Sequence, residues 1–220
     1  MLVAGVDEAG RGCVIGPLVI AGVMLKKEAL PILGKLGVKD SKLLSAKKRE
    51  ALFKEIEIIA EKQIIIKLSP KKIDLAVERK RKLHKLNRLE AQTMAQIINY
   101  LNPDETYVDA ADVLEDRFKY HIQEGLTVKT KITSRHKADK IYPVVSAASI
   151  VAKVERERDI AALKVTYGDF GSGYLNDKKT MGFLVKWLKT HSEYPDCVRK
   201  SWKPAKQVKN EKGTVQKQLI

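Results

Sequence analysis

Residues 2–12 have the sequence Leu-Val-Ala-Gly-Val-Asp-Glu-Ala-Gly-Arg-Gly. The apolar run at 2–6 predicts a short buried strand, and the acidic pair Asp7 and Glu8 follows it directly. Two carboxylates at the end of a buried strand are costly unless a positive charge compensates them. A hard divalent cation such as Mg²⁺ or Mn²⁺ prefers oxygen ligands and would supply that charge.

Strand geometry sets a condition on a metal ion at this position. Adjacent side chains of a regular strand point to opposite faces, so Asp7 and Glu8 reach one ion only if the strand ends there. Gly10 and Gly12 favour such an ending because glycine tolerates turn conformations. From these residues alone, an ordinary turn with two solvated acids is an equal alternative.

Two further aspartates are candidate ligands. Asp109 closes a short predicted strand, and Asp139 lies in a charged segment before the long helix predicted from Pro143. Asp112 is predicted instead to be the N-cap of a helix over 113–122. Taken alone, Asp139 fits a loop acid in a solvated run of charges better than a ligand.

The order of elements predicts an α/β fold with a mixed sheet, because strands come first and then alternate with helices. Strands are predicted at 2–6, 14–25, 62–68, 106–109 and 127–132. Helices are predicted over 46–60 after an N-cap at Ser45, from Pro70, and over 86–101, 113–122, 143–165 and about 181–188. We expect an α/β domain at 1–165, a small helical C-terminal part at 166–204 and a flexible basic tail at 205–220.

The composition indicates a polyanionic partner. The 220 residues include 42 Lys and Arg against 27 Asp and Glu, which gives a formal net charge of +15. Nucleic acid is the first candidate for that partner and an anionic membrane surface is the second. A generally basic surface would explain the charge equally well.

No segment predicts a membrane span or a signal peptide. The longest apolar stretch, 14–25, is shorter than the roughly 20 residues that a spanning helix needs, and charged residues at 7–11 interrupt the N-terminal apolar region. Cys13 and Cys197 are too few for a disulfide framework. We therefore expect reduced thiols in a monomeric, cytoplasmic protein.

Several sequence blocks resemble, in order, those of ribonuclease HII. The opening blocks are Val-Asp-Glu-Ala-Gly-Arg-Gly at 6–12 and Ile-Gly-Pro at 15–17. The next are Lys-Asp-Ser-Lys at 39–42, Val-Asp-Ala at 108–110, Lys-Ala-Asp at 137–139 and Ser-Ala-Ala-Ser-Ile-Val-Ala-Lys at 146–153. Gly-Asp-Phe-Gly-Ser-Gly-Tyr at 168–174 and Val-Arg-Lys-Ser-Trp-Lys-Pro at 198–204 resemble the archaeal form. The resemblance covers nearly all of the chain up to about residue 204.

This resemblance implies a ribonuclease H-like fold and four catalytic, metal-binding carboxylates, which here are Asp7, Glu8, Asp109 and Asp139. Two Mg²⁺ or Mn²⁺ ions would activate a water molecule and stabilise the leaving 3′-oxygen of an in-line displacement. The implied substrates are RNA–DNA hybrids and duplex DNA with single embedded ribonucleotides. Cleavage on the 5′ side of the ribonucleotide would leave 5′-phosphate and 3′-hydroxyl ends.

The resemblance also implies substrate contacts. The segment formed by Gly10, Arg11 and Gly12 would recognise, largely through its backbone, the 2′-hydroxyl that distinguishes RNA from DNA. Tyr174 would stack at the junction between ribonucleotide and deoxyribonucleotide. Phosphate contacts are expected from Ser41, Lys42 and Lys153. Without the resemblance, Tyr174 would be assigned to packing on the C-terminal helix and the lysines to solvent.

Some features stay open. Leu175-Asn176 stands where the family pattern has Pro-Ser, which puts the stiffness of that loop in doubt. The tail at 216–220, Gln-Lys-Gln-Leu-Ile, is similar to the first half of a sliding-clamp-binding motif but lacks its terminal aromatic pair, so an accidental glutamine-rich tail is favoured. The basic run at 79–82, with Lys85 and Arg88, would either follow a nucleic-acid backbone or form a solvated helix face.

Two alternatives compete with this assignment. Another hybrid-cutting ribonuclease H, in particular ribonuclease HIII, is disfavoured because the chain opens on the catalytic strand, with no N-terminal substrate-binding domain before it. A non-catalytic, basic RNA-binding protein would explain the charge. It would not explain the clustered acids, which oppose phosphate binding unless a metal ion intervenes.

Overall fold

The computed structural model describes residues 1–38, 44–78 and 85–217, with side chains up to Glu211 in the last range. Its strands are β1 (Leu2–Ala9), β2 (Leu18–Lys26), β3 (Lys62–Leu68), β4 (Glu105–Asp109) and β5 (Lys131–Arg135). They form one sheet in the order β3-β2-β1-β4-β5. β1 and β4, which are neighbours in the sheet, are separated along the chain by β2, β3 and several helices.

β1 pairs with different geometry on its two sides. It is antiparallel to β2 and parallel to β4, and β4 is parallel to β5. The antiparallel ladder continues to Ala9 opposite Val19, whereas the parallel ladder ends at Val6 opposite Val108. The sheet is therefore mixed, as predicted, and β1 leaves β4 directly before Asp7.

The helices of the described ranges are α1 (Leu30–Leu36), α2 (Ala46–Ile59), α3 (Pro70–Glu78), α4 (Lys85–Leu101), α5 (Glu115–Gln123), α6 (Ala138–Ile141), α7 (Pro143–Tyr167), α8 (Lys178–Thr190) and α9 (Lys203–Lys217). Two predicted helix starts are confirmed by their caps. The Ser45 hydroxyl accepts a hydrogen bond from the N–H of Lys48 in α2, and Ser69 accepts one from Lys72 in α3. Over the described stretches, no helix has both the length and the apolar character needed to cross a membrane.

The chain divides into two compact units. The sheet unit contains Met1–Ala9, Val19–Lys67 and Leu83–Glu155, and the C-terminal unit contains Gly10–Leu18, Leu68–Lys82 and Arg156–Ile220. This division differs from the predicted boundary at residue 165. The segment after β1 joins the C-terminal unit because its backbone pairs there, Cys13 with Tyr174 and Ile15 with Val198. Pairing between residues so far apart leaves no local signal in the sequence.

Each unit has its own core. In the sheet unit, apolar side chains from β2, α2 and the first half of α7 pack together, with Val23, Phe53 and Val151 among them. α7 approaches β1 closely, since a Cβ atom on Gly5 would lie 2.3 Å from the carbonyl carbon of Val144. In the C-terminal unit, Phe170 packs in a cluster with residues of α8 and of the segment after β1.

Two predicted strands have wrong boundaries. The strand predicted at 14–25 begins only at Leu18, because the apolar residues before it are buried in the C-terminal unit instead. The alternating segment at 127–132 is extended only from Lys131, where pairing with β4 begins at Glu105. In both cases the sequence pattern that predicts a strand is longer than the segment that pairs with a neighbouring strand.

Asp112 is not the N-cap of α5, which corrects the sequence prediction. Leu114 occupies the cap position, and Asp112 accepts a hydrogen bond from the N–H of Leu114. The buried Asp112 carboxylate also forms an ion pair with Arg117. That pairing holds its pKa well below the usual range and gives Asp112 a structural role.

Most of the tail that was predicted to be flexible lies in a helix, since residues 203–217 form α9. Ala205 is fully buried, and its carbonyl oxygen accepts a hydrogen bond from the Tyr194 hydroxyl. Lys206 and Lys209 form ion pairs with Glu78 and Glu193, respectively. The start of α9 therefore has contacts with parts of the chain that lie outside the helix.

Candidate active site

Asp7 and Asp109 lie side by side where β1 and β4 separate. The parallel ladder ends at Val6 opposite Val108, so each aspartate is the next residue of its strand. Equivalent positions of neighbouring strands project to the same face of a sheet. Asp7 is 4% exposed and Asp109 is half-buried, so the strand ends hold two acids close together, one of them with little access to water.

The surroundings of Asp7 disfavour its ionised form. Burial, followed by the charge of Asp109, raises the pKa of the Asp7 carboxyl to about 7. The Ser149 hydroxyl, the N–H of Glu8 and the charge of Lys153 act in the opposite direction without cancelling that increase. The N–H of Glu8 lies 2.7 Å from Asp7 Oδ1. The nearby positive charge is therefore insufficient for both carboxylates.

Asp139 is connected to this pair through the backbone. It lies in the first turn of α6 and is 5% exposed, which contradicts its alternative as a solvated loop acid. The N–H of its neighbour Ala138 donates to Asp109 Oδ1 at 2.9 Å. Lys137 has a φ of 56°, in the left-handed region that non-glycine residues rarely adopt. This turn brings the start of α6 to the end of β4.

Asp7 and Glu8 were predicted to reach one metal ion only if β1 ended at this pair, and β1 ends there on its β4 side only. On the β2 side the ladder continues through Glu8, opposite Ile20, so Asp7 and Glu8 still alternate between faces there. Throughout 1–38, 44–78 and the side chains from 85 to 211, no three His, Cys, Asp or Glu residues form a group that could hold a metal ion. The structure thus pairs Asp7 with Asp109 and brings the backbone of Asp139 near, without assembling the four predicted carboxylates.

The Asp7–Asp109 pair itself fits a hard divalent cation. Both residues offer carboxylate oxygens, the ligands that Mg²⁺ and Mn²⁺ prefer. Their mutual repulsion, visible in the raised pKa of Asp7, is the electrostatic situation that a bound cation relieves. The donor chemistry and the charge therefore support a cation here, with Asp139 and Glu8 as the further carboxylates that the family resemblance implies.

Ser149 is a site residue that the sequence analysis did not identify. It lies one helical turn before Lys153 in α7, and Lys153 Nζ donates to Ser149 Oγ at 3.0 Å. Ser149 in turn hydrogen-bonds Asp7. The spacing of four residues between Ser149 and Lys153 is the signal that could have revealed it. Lys153 was predicted to contact a substrate phosphate. In the structure its positive charge is close enough to Asp7 to lower the pKa of that carboxyl.

The other predicted substrate contacts that the structure describes lie in the C-terminal unit. Gly10 has a φ of 86°, so its backbone takes the turn that the sequence predicted. Tyr174 pairs with Cys13, and its ring lies 4.6 Å from the guanidinium carbon of Arg156. Arg156 also donates to the carbonyl of Ser172 at 2.9 Å. Tyr174 is thus held by its backbone and by a stacked cation.

Some predicted residues lie outside the described part of the chain. These are the expected phosphate contacts Ser41 and Lys42, the basic run at 79–82 and the last three residues of the tail. Cys13 and Cys197 form no disulfide, and both are buried. Burial raises the pKa of the Cys197 thiol to about 12, which makes it a poor nucleophile.

A family model and similar known proteins identify the same family. Residues 4–205 match the family model of ribonuclease HII. Ribonuclease HII of Thermococcus kodakarensis is 46% identical over 210 residues, which cover 94% of this chain and 90% of that protein.

Two solved structures extend the similarity to three dimensions. The crystal structure of the ribonuclease H2 from Pyrococcus horikoshii OT3 has a TM-score of 0.88 and 42% identity, covering 96% of this chain and 98% of that one. The RNase HII in the PCNA complex from Archaeoglobus fulgidus has a TM-score of 0.83 and 44% identity, covering 92% and 96% of the two chains. The predicted ribonuclease H-like fold is confirmed. The chain belongs to the ribonuclease HII family.

Proposed function

We propose that the chain is a metal-dependent endoribonuclease that hydrolyses the phosphodiester on the 5′ side of ribonucleotides. Its substrates would be RNA–DNA hybrids and single ribonucleotides embedded in duplex DNA. Family membership makes the chain a ribonuclease H hydrolase. The observation that carries the finer proposal is the mutually repelling pair of the buried Asp7 and the half-buried Asp109 at the ends of two parallel strands.

Four carboxylates would hold the divalent cations, namely Asp7, Glu8, Asp109 and Asp139. When bound, Mg²⁺ or Mn²⁺ supplies the activation of a water molecule and the stabilisation of the leaving 3′-oxygen, which gives 5′-phosphate and 3′-hydroxyl ends. Asp7 and Asp109 are already adjacent. The hydrogen bond from Ala138 fixes the Asp109 carboxylate relative to the turn that carries Asp139.

Residues of α7 would prepare the site for substrate. Ser149 hydrogen-bonds Asp7 and so orients its carboxylate. Lys153 donates to Ser149 and adds a positive charge that favours ionised Asp7. The same charge would attract the scissile phosphate, the role that the family resemblance implies for it.

Recognition of the substrate would depend on the segment Gly10, Arg11 and Gly12 and on Tyr174. The segment would bind the 2′-hydroxyl through its backbone, and the aromatic ring would stack on the deoxyribonucleotide side of the junction. The net charge of +15 supports a nucleic-acid substrate. The guanidinium of Arg156, which stacks on the Tyr174 ring, keeps that ring in place.

A sliding clamp is a further proposed partner. The relative from Archaeoglobus fulgidus was solved in a complex with PCNA. In this chain the segment at 216–220 is the one whose sequence is similar to part of a clamp-binding motif. That similarity lacks the aromatic pair, so the clamp is secondary to the nucleic acid in this proposal.

Substitution of the paired aspartates tests the proposed chemistry. Asp7→Asn and Asp109→Asn should each lower cleavage of a single-ribonucleotide duplex in Mg²⁺ by at least about a hundredfold, since each removes a charged ligand oxygen. Duplex binding should stay within about threefold, because neither residue is expected to bind the backbone. Asp104→Asn is the control, since Asp104 precedes the opposite end of β4 and, among the described residues, its side chain accepts a hydrogen bond only from the N–H of Leu2.

Near-normal turnover in Asp7→Asn would contradict the mechanism. If wild-type protein bound the duplex tightly but never cleaved it with any divalent cation, the non-catalytic RNA-binding alternative would replace the proposal. Comparable losses in Asp104→Asn would show that the effect is one of folding rather than chemistry.

A further inference from the structure

Arg199 is a buried arginine that holds the segment after β1 from one side. Its side chain is fully buried. It donates hydrogen bonds to the carbonyl oxygens of Gly10 at 2.6 Å, Arg11 at 2.7 Å and Gly16 at 3.2 Å, and to the sulphur of Cys13 at 2.9 Å. These acceptors carry no formal charge, so they offset the cost of burying a guanidinium less fully than a carboxylate would.

The orientation of two peptide groups follows from these bonds. In a planar trans peptide the C=O and the N–H point in opposite directions. Because the carbonyls of Gly10 and Arg11 point toward Arg199, the N–H groups of Arg11 and Gly12 point away from it. Two successive N–H groups that project to one side form a place where an electronegative oxygen can bind.

Space is available on the side away from Arg199. Gly12 is exposed, and a Cβ atom built on it would meet no heavy atom within 4 Å. The rest of the segment is fixed, since the N–H groups of Val14 and Ile15 donate to the carbonyl of Gly173 and the N–H of Arg199 donates to Val14. The peptide groups at 10–12 are therefore held on a rigid base, with open space beside Gly12.

We propose that Arg199 is the positioning residue that directs the N–H groups of Arg11 and Gly12 toward the 2′-hydroxyl of a ribonucleotide. The inference rests on the proposed function, in which this segment recognises the 2′-hydroxyl. An arginine is required because its planar fork of five donors reaches several carbonyls at once, which a lysine amine does not. Arg199 itself touches no substrate atom, and it acts through the peptide groups that it binds.

Binding to two matched duplexes tests this role. The duplexes are identical except for one ribonucleotide in place of a deoxyribonucleotide, and EDTA keeps the ribonucleotide intact. The measured quantity is the ratio of the Kd for all-DNA duplex to the Kd for the ribonucleotide duplex. We expect a ratio of about ten for wild type, which corresponds to about one good hydrogen bond. Arg199→Met and Arg199→Lys should bring it to within about twofold of one, with the all-DNA Kd unchanged.

Tyr194→Phe is the matched control for stability. Tyr194 is buried in the same unit, and its hydroxyl binds only the carbonyl of Ala205 among the described residues. The variant should lose thermal stability but keep the wild-type ratio. Arg199→Lys keeps a cation at the position and carries the test if Arg199→Met fails to fold.

Three results are decisive. A ratio that falls in the Arg199 variants but not in Tyr194→Phe supports the inference. A wild-type ratio retained in folded Arg199→Lys overturns it and leaves the proposed function standing. A wild-type ratio of one, together with no ribonucleotide-dependent cleavage in Mg²⁺, overturns the proposed function and the inference with it.

Discussion

Asp7 is buried beside the carboxylate of Asp109, and its hydrogen bonds to Ser149 and the N–H of Glu8 only partly offset these two effects. Its raised pKa means that the native state retains a proton that the unfolded chain has already lost. The contribution of Asp7 to the stability of the metal-free protein therefore falls as the pH rises from about 4 to about 7. Without a bound cation, the ionised carboxylate of Asp7 therefore lowers the stability of the folded protein.

Asp7→Asn should consequently stabilise the metal-free protein at pH 8. The amide resembles the protonated acid in shape and carries no charge to bury, so the gain should be about 1–3 kcal/mol in the free energy of unfolding. The gain should be smaller at pH 5, where native Asp7 is mostly protonated. Urea unfolding in EDTA at both pH values measures it, with Asp104→Asn as the control. Destabilisation at pH 8 would show that the ionised carboxylate is already compensated by its neighbours.

Tyr174 gives the sharpest test of junction recognition. Tyr174→Ala should lower cleavage of a single-ribonucleotide duplex by roughly ten- to a hundredfold, which is the loss of about one stacking contact. A continuous RNA–DNA hybrid should lose less. Tyr174→Phe keeps the ring over Arg156 and should remain close to wild type on both substrates. Equal losses on both substrates in Tyr174→Ala would mean that the ring only packs.

Individual site residues differed in how far the sequence could predict them. Asp7 and Asp109 follow apolar strands, and the ends of parallel strands meet at one edge, so their proximity was predictable. Asp139 was assigned through the family resemblance, since its charged segment alone favours solvent. Arg199 binds Gly10 across 189 positions of sequence, a contact for which no local pattern exists.

α7 positions Ser149 and Lys153 because it packs against β1 with almost no space between the two backbones. Gly5 is the residue of β1 that permits this approach, since any side chain there would overlap the backbone of Val144. The close packing brings the polar face of α7 to Asp7. The position of α7 as a whole thus determines how Ser149 and Lys153 act on the Asp7 carboxyl.

Gly5→Ala should separate α7 from β1. The overlap of its Cβ with backbone atoms at 2.3 Å cannot be relieved by a side-chain rotation, so unfolding should become easier by about 3 kcal/mol or more. Cleavage should fall as well, because Ser149 moves away from Asp7. Urea unfolding and a cleavage assay measure the two effects.

Gly34→Ala is the matched control in the same unit. A Cβ atom on Gly34 would meet no neighbour within 4 Å, and alanine favours the helical conformation of α1 by up to about 1 kcal/mol. This variant should therefore be neutral or slightly stabilising, with unchanged cleavage. Equal stability of Gly5→Ala and wild type would show that the two backbones are not in firm contact.

Element types were more predictable than their boundaries. The caps at Ser45 and Ser69 marked two helix starts because a cap acts within one turn. Val14 and Ile15 were assigned to a strand because apolar residues look alike in either core. α9 was missed because its order depends on contacts with Tyr194 and Glu78, which lie outside the helix.

The whole chain combines a net charge of +15 with a pair of acids, one buried and one half-buried, at the ends of two central strands. A basic protein attracts nucleic acid of any nucleotide sequence. Affinity for a duplex therefore does not distinguish an enzyme from a protein that only binds nucleic acid. The distinguishing property is a cut whose position depends on a ribonucleotide and whose rate depends on a divalent cation.

The most direct measurement uses wild-type protein and an end-labelled DNA duplex that contains one ribonucleotide. In Mg²⁺ we expect a single cut on the 5′ side of the ribonucleotide, with a 3′-hydroxyl on one fragment and a 5′-phosphate on the other. No cut should occur in EDTA or on the matched all-DNA duplex. Cleavage that persists in EDTA, or that occurs on the 3′ side with a 2′,3′-cyclic phosphate, would contradict the account, because the 2′-hydroxyl rather than water would then be the nucleophile.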